Sequence, residues 1–191
     1  MNTSQKHIII AGVPRAGKTT LCSYLAKSLK YQHLAMDAII MGIEVAFPET
    51  GIKHTDRWDL LSTGKNWTNF IKKISSTSNY DKLSYRLAFD MYHITPKEYV
   101  ENIDSSCCDI IFLGYPNISI DQKFKQIRQF DSIYDWTSQR DDSIVKEYIK
   151  DYIEISKYLQ EECKKYNLTF IDIGEDRENK LKDIANKILT K

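Results

Sequence analysis

The feature that most constrains the fold is a loop bounded by two glycines, which connects an apolar run near the N-terminus to an amphipathic segment. The run His7–Ala11 is rich in β-branched residues and apolar on both faces, as expected of a strand buried in a parallel sheet. Gly12 ends this run, and Gly17 precedes Lys18–Lys30, where leucines recur every four residues. Because that spacing places them on one face, we predict a helix whose buried stripe is Leu21, Leu25 and Leu29.

Further apolar runs alternate with longer helix-like segments along the chain. Strands are predicted at His33–Met36, Asp109–Leu113 and Leu168–Gly174, with a weaker one at Ser132–Trp136. Helices are predicted near Ser119–Phe130, Asp141–Tyr166 and Arg177–Leu189. This alternation is typical of parallel strands joined by helical crossovers. We therefore predict an α/β fold, a three-layer α/β/α sandwich with a five-stranded parallel sheet.

The segment 38–105 breaks this alternation. It carries no confident strand, reads mostly as helices and is too long for a simple crossover. We predict that residues 1–191 form a single domain in which 38–105 is a helical insertion over one edge of the sheet. Most aromatic residues between Lys53 and Ile103 are expected to be core, which leaves a minority to stack on the ring of a ligand.

Composition excludes several classes of protein. With 27 Lys and Arg against 26 Asp and Glu, the formal net charge is +1, so we expect no large cationic face for a polynucleotide. Four cysteines without a C-x-x-C pair are expected to be reduced thiols, as in cytoplasmic proteins. No apolar stretch approaches the roughly 20 residues of a membrane span, and no signal-peptide core is visible. We expect a cytoplasmic monomer or homodimer.

The glycine-bounded loop carries a phosphate-binding signature. Residues Gly12–Thr19 match the pattern G-x-x-x-x-G-K-[ST] between a predicted strand and a predicted helix. The glycines permit backbone turns that direct N–H groups inward, and the helix N-terminus adds its positive dipole. Lys18 is predicted to neutralise the β- and γ-phosphates, and Thr19 to offer its hydroxyl to Mg²⁺. The predicted nucleotide-binding residues are Gly12, Val13, Pro14, Arg15, Ala16, Gly17, Lys18, Thr19 and Thr20.

Motifs that identify other phosphate-loop proteins are missing from the sequence. There is no N-K-x-D sequence for reading guanine, no D-x-x-G switch after a strand, and no apolar run ending in the Asp-Glu pair of many ATPases. The acidic pairs of this chain lie in polar surroundings instead. These absences favour a kinase.

Three short stretches resemble the nucleoside monophosphate kinase-like group of P-loop kinases, which includes adenylate, shikimate and gluconate kinases and antibiotic phosphotransferases. They are Gly12–Thr20, Met36-Asp37 and Leu113–Asn117. The resemblance implies a P-loop NTPase fold, ATP and Mg²⁺ as cofactors, and a small-molecule acceptor bound by the insertion 38–105. It also implies a short lid at about 136–142 that closes over the phosphates.

An acidic residue after the second predicted strand is the leading candidate for handling the acceptor. In shikimate- and gluconate-type relatives such a residue faces the acceptor and the metal, and Asp37 occupies that place. It follows a strand at the edge of the sheet where α/β proteins bind ligands, so it can orient a hydroxyl and accept its proton. The alternative is a helix N-cap for the segment that begins at Ala38, and the two roles are compatible.

The stretch Leu113–Asn117 resembles the adenylate kinase sequence Asp-Gly-Phe/Tyr-Pro-Arg without either charged residue. In the family the Asp organises Mg²⁺ and the Arg contacts the acceptor phosphate, whereas this chain has Leu113 and Asn117. This departure argues against a nucleoside monophosphate acceptor and favours a neutral or differently charged one. It also makes Asp37 the leading metal-associated carboxylate.

Arginines near the predicted lid are candidates for binding the transferring phosphoryl group, because a planar guanidinium binds phosphate oxygens bidentately. Arg140 lies in the stretch Trp136–Asp142 and resembles the family's Arg-x-Asp-Asp pattern with one residue missing. Arg128 lies toward the end of the preceding predicted helix. A surface ion pair is the alternative for each of them.

The remaining candidates are weaker. Arg57 and Arg86 lie in the insertion and are candidates for holding an anionic acceptor, although solvated faces are favoured. His54 and His93 show no metal-ligand spacing and receive no role. The turn after Ile171–Gly174 lies where relatives wrap the adenine ring, so adenine is the default base.

The sequence therefore predicts an ATP-dependent phosphotransferase that moves the γ-phosphoryl of ATP to a nucleotide, a nucleoside or a hydroxylated metabolite. The predicted catalytic residues are Lys18, Asp37, Arg140 and Arg128, and the predicted metal ligands are Thr19 and Asp37. The alternative is an ATP-binding or ATP-hydrolysing regulatory protein whose insertion contacts a protein partner.

Overall fold

The computed structural model of the chain describes residues 6–28, 30–54, 60–78 and 86–190, with side chains of the helix at 60–78 described from 67 to 76. The strands in this part of the chain are β1 (His7–Gly12), β2 (Tyr31–Ala35), β3 (Arg86–Asp90), β4 (Cys108–Gly114) and β5 (Thr169–Asp172). The helices are α1 (Lys18–Lys27), α2 (Met36–Ala46), α3 (Leu60–Ser78), α4 (Pro96–Asn102), α5 (Ile120–Phe130), α6 (Asp142–Lys165) and α7 (Arg177–Leu189). A 3₁₀ turn spans Pro48–Thr50.

The strands form one parallel sheet in the order β2-β3-β1-β4-β5. Strand β1 pairs with β3 on one edge and β4 on the other, so that Ile9 lies opposite both Phe89 and Ile110. All of β1 is buried, which requires cover on both faces of the sheet. Helices α1 and α7 pack together, and α6 packs on β4 and β5 beside α4 and α5. The predicted α/β fold with a five-stranded parallel sheet is confirmed, and the packing is consistent with a three-layer sandwich.

The structure corrects the prediction that 38–105 is a helical insertion without a strand. Strand β3 lies inside that range, between α3 and α4. Its sequence, Arg-Leu-Ala-Phe-Asp, has three apolar residues and no β-branched one, so it gives little local signal for a strand. Pairing with β1 and β2 on both edges holds it extended. The acceptor-binding role of the range stays a prediction.

The weak strand predicted at Ser132–Trp136 is wrong, because this segment forms turns. The Asp135 carboxylate accepts hydrogen bonds from the Ser132 amide at 2.8 Å and the Ser132 hydroxyl at 2.9 Å, which fixes a turn. Asp135 also pairs with Arg15, so polar contacts hold the segment outside the sheet. The fifth strand of the sheet is β3 instead.

Helix boundaries follow local signals in the sequence. Helix α5 begins after Ser119, whose side chain accepts from the Gln122 amide while the Gln122 side chain accepts from the Ser119 amide. Helix α1 ends earlier than predicted, at Lys27. Of its predicted stripe, Leu29 lies outside the described residues, and the residues that are fully buried are Leu21 and Leu25.

The structure also bears on two expectations from composition. All four cysteines are free, as predicted. Within the described ranges, no helix combines the length and the apolar character that crossing a bilayer requires.

Gly12 ends β1 at a point where only glycine fits. Its φ of 123° lies in the region that side chains disfavour, and a Cβ atom at this position would lie 1.9 Å from the Leu113 carbonyl oxygen. The close approach of β1 to β4, and the start of the loop after it, therefore depend on the missing side chain.

We expect Gly12→Ala to lower the free energy of unfolding by about 3 kcal/mol, because the methyl group meets a main-chain oxygen in a strained conformation. Urea denaturation measures this change. Gly42→Ala is the matched control, since Gly42 lies within α2 and a Cβ there meets nothing within 4 Å. We expect the control to raise stability by about 0.5–1 kcal/mol, as Ala does in an open helix position. Equal stability of the two variants would contradict the assignment.

Candidate active site

The loop between β1 and α1 has the conformation of an anion cradle. Gly12, Arg15 and Gly17 have φ values of 123°, 60° and 90°, which turn the chain tightly around the loop. Helix α1 begins at Lys18 without a side-chain cap on its N-terminal amides. Such amides carry the positive end of the helix dipole, so they are suited to bind phosphate.

Three side chains hold successive carbonyl groups of this loop. Lys18 donates to the Val13 carbonyl at 3.1 Å. The Tyr115 hydroxyl donates to the Pro14 carbonyl at 2.9 Å, and Lys123 donates to the Arg15 carbonyl at 3.0 Å. With these acceptors satisfied inside the protein, the amides at the start of α1 remain as the groups that meet a ligand.

Lys123 supports the loop from a buried position that the sequence analysis missed. Its side chain is 1% exposed, and its ammonium lies 4.0 Å from the centre of the Tyr115 ring. Burial, together with the nearby charges of Arg177 and Arg15, lowers the pKa of Lys123 to about 7. The local sequence gives no signal for this contact, since Lys123 and Arg15 are 108 residues apart.

Thr19 and Asp90 form the second functional pair at the loop. The Thr19 hydroxyl donates to the Asp90 carboxylate at 2.6 Å, and a His33 ring nitrogen lies 3.3 Å from the same oxygen. Burial opposes ionisation of Asp90, but the hydrogen bonds from His33 and Thr19 and the charge of Lys18 hold its pKa below the ordinary value. Asp90 is the last residue of β3. Because the sequence does not predict this strand, it does not point to Asp90 as a candidate either.

The residues present fit a magnesium ion. A threonine hydroxyl and an ionised carboxylate in contact are hard oxygen donors, and Mg²⁺ takes few protein ligands when it also binds phosphates. In the described chain, Asp90 rather than Asp37 is the carboxylate that contacts Thr19. Asp90 therefore replaces Asp37 as the leading metal-associated carboxylate. A direct contact between Asp37 and the metal stays a prediction.

Asp37 lies in the first turn of α2, whose N-cap is Ala35, so the alternative of an N-cap role is wrong. Its Oδ1 is buried and has no hydrogen-bond partner among the described residues. Burial raises the pKa of Asp37, the charge of Lys18 opposes this, and the charge of Asp90 adds to it. A buried carboxylate oxygen without a partner is poised to accept a hydrogen bond from a ligand.

Two clefts meet at the loop. The first has a volume of about 560 Å³ and reaches from the start of α1 towards Tyr24, Gln126, Phe130 and Arg177. The second has a volume of about 320 Å³ and reaches towards Asp37, Asp90 and Tyr92. The residues that line both clefts are Arg15, Lys18, Thr19 and Asp135. The two clefts therefore adjoin each other at the phosphate loop.

Arg177 is a further cation at the first cleft that the sequence analysis missed. It begins α7, donates to the Thr20 hydroxyl at 3.0 Å and lies 5.7 Å from the centre of the Phe130 ring. The predicted adenine contact at Ile171–Gly174 and the turn after it stays a prediction. That stretch does not line the first cleft, and the Gly174 carbonyl accepts from Gln126 at 2.9 Å.

The two predicted lid arginines have different surroundings. Arg128 donates to the Thr137 carbonyl at 2.7 Å and to Asp142 at 2.6 Å, and it lines neither cleft. These contacts connect Arg128 to the predicted lid segment, and its contact with the transferring phosphoryl group stays a prediction. Arg140 lines the second cleft with Lys18 and Asp37. Its guanidinium has no ion pair in the described part of the chain.

Arg15 connects the phosphate loop to the lid segment. Its guanidinium donates to Asp131 at 2.6 Å and to Asp135 at 2.5 Å, and the Asp131 side chain is only 6% exposed. The two ion pairs of this predicted nucleotide-binding residue therefore hold the segment just before the predicted lid against the loop.

The weaker candidates from the sequence differ in where they lie relative to the two clefts. Arg86 is the first residue of β3, and Asp90, the last, lies at the site. Arg86 therefore lies at the amino end of the strand, away from the site and outside both clefts. Arg57 lies outside the described residues. His54 lines the second cleft, whereas His93 is buried beside it, and burial lowers the pKa of His93 to about 3. Asn117 donates to Asp172 at 2.9 Å, away from both clefts.

Comparisons with known proteins identify the fold. No protein-family model matches the chain, and no significant match exists among curated proteins. Shikimate kinase from Bacteroides thetaiotaomicron is similar in structure with a TM-score of 0.57 at 13% identity, over 97% of each chain. A gluconokinase from Sinorhizobium meliloti has a TM-score of 0.54 at 13% identity, over 97% of this chain and 93% of its own. A sugar kinase from Janibacter sp. has a TM-score of 0.54 at 14% identity, over 97% and 95%.

The predicted resemblance is confirmed at the level of fold. These neighbours are P-loop kinases with the nucleoside monophosphate kinase-like fold, and the similarity extends over nearly the whole chain. The fold of this protein is therefore that of small-molecule P-loop kinases.

The buried Lys123 predicts a pH-dependent stability. Its pKa is about 7 in the folded protein against 10.5 ordinarily, so between these values the unfolded chain binds more protons and stability rises with pH. Lys123→Met removes this titration. We expect the unfolding free energy of the wild type minus that of the variant to increase by about 3 kcal/mol between about pH 7 and about pH 9.5. Exposed Lys150→Met is the control, and a difference independent of pH for both variants would contradict the assignment.

Proposed function

We propose that this protein is an ATP-dependent phosphotransferase that moves the γ-phosphoryl group of ATP to a small-molecule acceptor. The observation that carries the proposal is the meeting of two clefts at Lys18 and Thr19, with an unpartnered carboxylate, Asp37, in the second. A nucleotide in the first cleft and an acceptor in the second would contact each other at the phosphate loop. The kinase fold of the structural neighbours supports this assignment.

In the proposed reaction the loop amides bind the phosphates of ATP, and Lys18 neutralises charge on the transferring group. Thr19 and Asp90 would hold Mg²⁺, which screens the charge between the β- and γ-phosphates when it is bound. The carbonyl contacts of Tyr115 and Lys123 keep the loop in its binding conformation before the nucleotide arrives. Preorganised donors of this kind need no rearrangement during the reaction.

Asp37 acts on the acceptor in this proposal. Its free oxygen orients the acceptor hydroxyl and accepts its proton as the hydroxyl oxygen bonds to the γ-phosphorus. The bond from that phosphorus to the bridging oxygen breaks, and ADP leaves. Burial favours this role, because a carboxylate with a raised pKa is a stronger base.

Arg140 is the lid residue that this proposal retains. It lines the cleft that holds Lys18 and Asp37, where a guanidinium can bind the oxygens of the transferring group. Closure of the lid would exclude water and so favour transfer over hydrolysis. The alternative of a regulatory ATP-binding protein has no specific support, since the second cleft has the size of a small-molecule site. Adenine preference, a cytoplasmic location and a monomeric or homodimeric state stay predictions.

The proposal predicts that nucleotide binding depends on Lys18. We expect ATP with Mg²⁺ to raise the Tm of the wild type, and Lys18→Ala to lose this increase because the polyphosphate loses its buried cation. Thermal unfolding monitored by circular dichroism measures both. Lys150→Ala removes an exposed lysine of α6 and should keep the full increase. An undiminished increase in Lys18→Ala would overturn the nucleotide site.

A further inference from the structure

We propose that the acceptor is an uncharged hydroxyl compound with a ring, bound between an aromatic wall of the second cleft and Asp37. This inference rests on the proposed function and specifies its acceptor. The evidence comes from three properties of the cleft, namely its aromatic wall, its charges and its size.

Aromatic side chains form one wall of the second cleft. Trp136 and Tyr148 meet edge to face at 5.3 Å between ring centres, and Tyr148 and Tyr152 lie nearly parallel at 6.1 Å. Tyr92 faces the same cleft from the segment after β3. Trp136 remains 38% exposed in spite of these contacts, so part of its indole is available to a ligand. Rings in this arrangement bind flat apolar faces by stacking and edge contacts.

Polar groups also line the cleft, and their charges disfavour an anion. Arg15 is paired with Asp131 and Asp135, so its charge is already compensated. In the proposed reaction Lys18 serves the transferring phosphoryl group. Asp37 has an oxygen without a partner, and an anionic acceptor would have to approach this carboxylate.

Arg140 is the remaining arginine or lysine of the cleft in the described chain, and it shares the cleft with two further carboxylates, Asp90 and Asp135. If it binds the transferring group, it cannot also neutralise a charged acceptor. His54 also lines the cleft, and its charge acts on Asp37, where it partly offsets the rise in pKa that burial causes. The cleft thus offers an anionic acceptor no lysine or arginine of its own. An uncharged hydroxyl meets none of this repulsion and can donate to Asp37.

The size of the cleft limits the acceptor to a small molecule. Its volume of about 320 Å³ lies near the lower end of small-molecule pockets. One or two rings fill such a space, and a peptide or polynucleotide would extend beyond it. In this cleft the apolar face of the acceptor would lie against the aromatic wall, and its reacting hydroxyl would lie at Asp37.

Matched pairs of acceptors test the inference. Benzyl alcohol is compared with hydroxymethylbenzoate, uridine with uridine monophosphate, and sorbitol with gluconate as a pair without an aromatic ring, each at fixed ATP and Mg²⁺. A coupled assay measures ADP formation, and phosphorus NMR identifies the phosphorylated product. We expect kcat/KM to be at least about tenfold higher for an uncharged ring compound than for its anionic partner. This ratio corresponds to a difference of about 1.4 kcal/mol or more in transition-state binding. We also expect kcat/KM for the uncharged ring compound to be higher than for sorbitol.

The outcomes separate this inference from the proposed function. Preferred transfer to an anionic partner or to sorbitol would overturn the inference and leave the phosphotransferase intact. Lys18-dependent stabilisation by ATP without transfer to any member of the panel would overturn both. Loss of that stabilisation would instead show that the nucleotide site itself is assigned wrongly.

Variants of the aromatic wall provide a second readout. Trp136→Ala should raise KM for the best ring acceptor about tenfold and leave KM for ATP unchanged, because Trp136 lines only the second cleft. Tyr134→Ala is the matched control, since Tyr134 lies close to Trp136 in the sequence, is 88% exposed and lines neither cleft. Thermal unfolding confirms that both variants fold. An unchanged acceptor KM in Trp136→Ala would contradict the aromatic wall.

Discussion

The conformation of the phosphate loop is the constraint on which the rest of the site depends. Gly12 allows β1 to approach β4 where a Cβ would lie 1.9 Å from a carbonyl oxygen, and the chain then turns into α1. The loop carbonyls are held by Lys18, Tyr115 and Lys123. These contacts fix the backbone before a ligand is bound, so the binding free energy is not used to order it. A rigid main-chain cradle at the centre of the sheet is the result.

The parallel sheet places the candidate functional side chains beside this loop. Because β1 and β3 are neighbours and run in the same direction, Asp90 at the end of β3 meets Thr19 in the first turn of α1. Strand β2 leads into α2, which carries Asp37 to the second cleft. Arg15 pairs with Asp131 and Asp135 and so connects the loop to the segment that carries Trp136 and Arg140. The two clefts therefore share residues of the phosphate loop.

The parts of this site that the sequence predicts are those with a local signal. The loop signature fixes its own position, and Asp37 follows an apolar run, so both were identified from short stretches of chain. Asp90 was missed because β3 has no β-branched residue and becomes a strand only through pairing on both edges. Lys123 was missed because its contact with Arg15 spans 108 residues, and burial of a lysine has no signature in an amphipathic helix.

The fate of the γ-phosphoryl group tests the central claim most directly. Phosphorus NMR follows ATP and Mg²⁺ with a ring alcohol, in the wild type and in Asp37→Asn. In the wild type the γ signal should be replaced by that of a phosphate monoester, and the variant should bind ATP equally but form the ester about 10²- to 10⁴-fold more slowly, as expected for loss of a general base. Formation of inorganic phosphate alone, at the same rate in both proteins, would contradict the account.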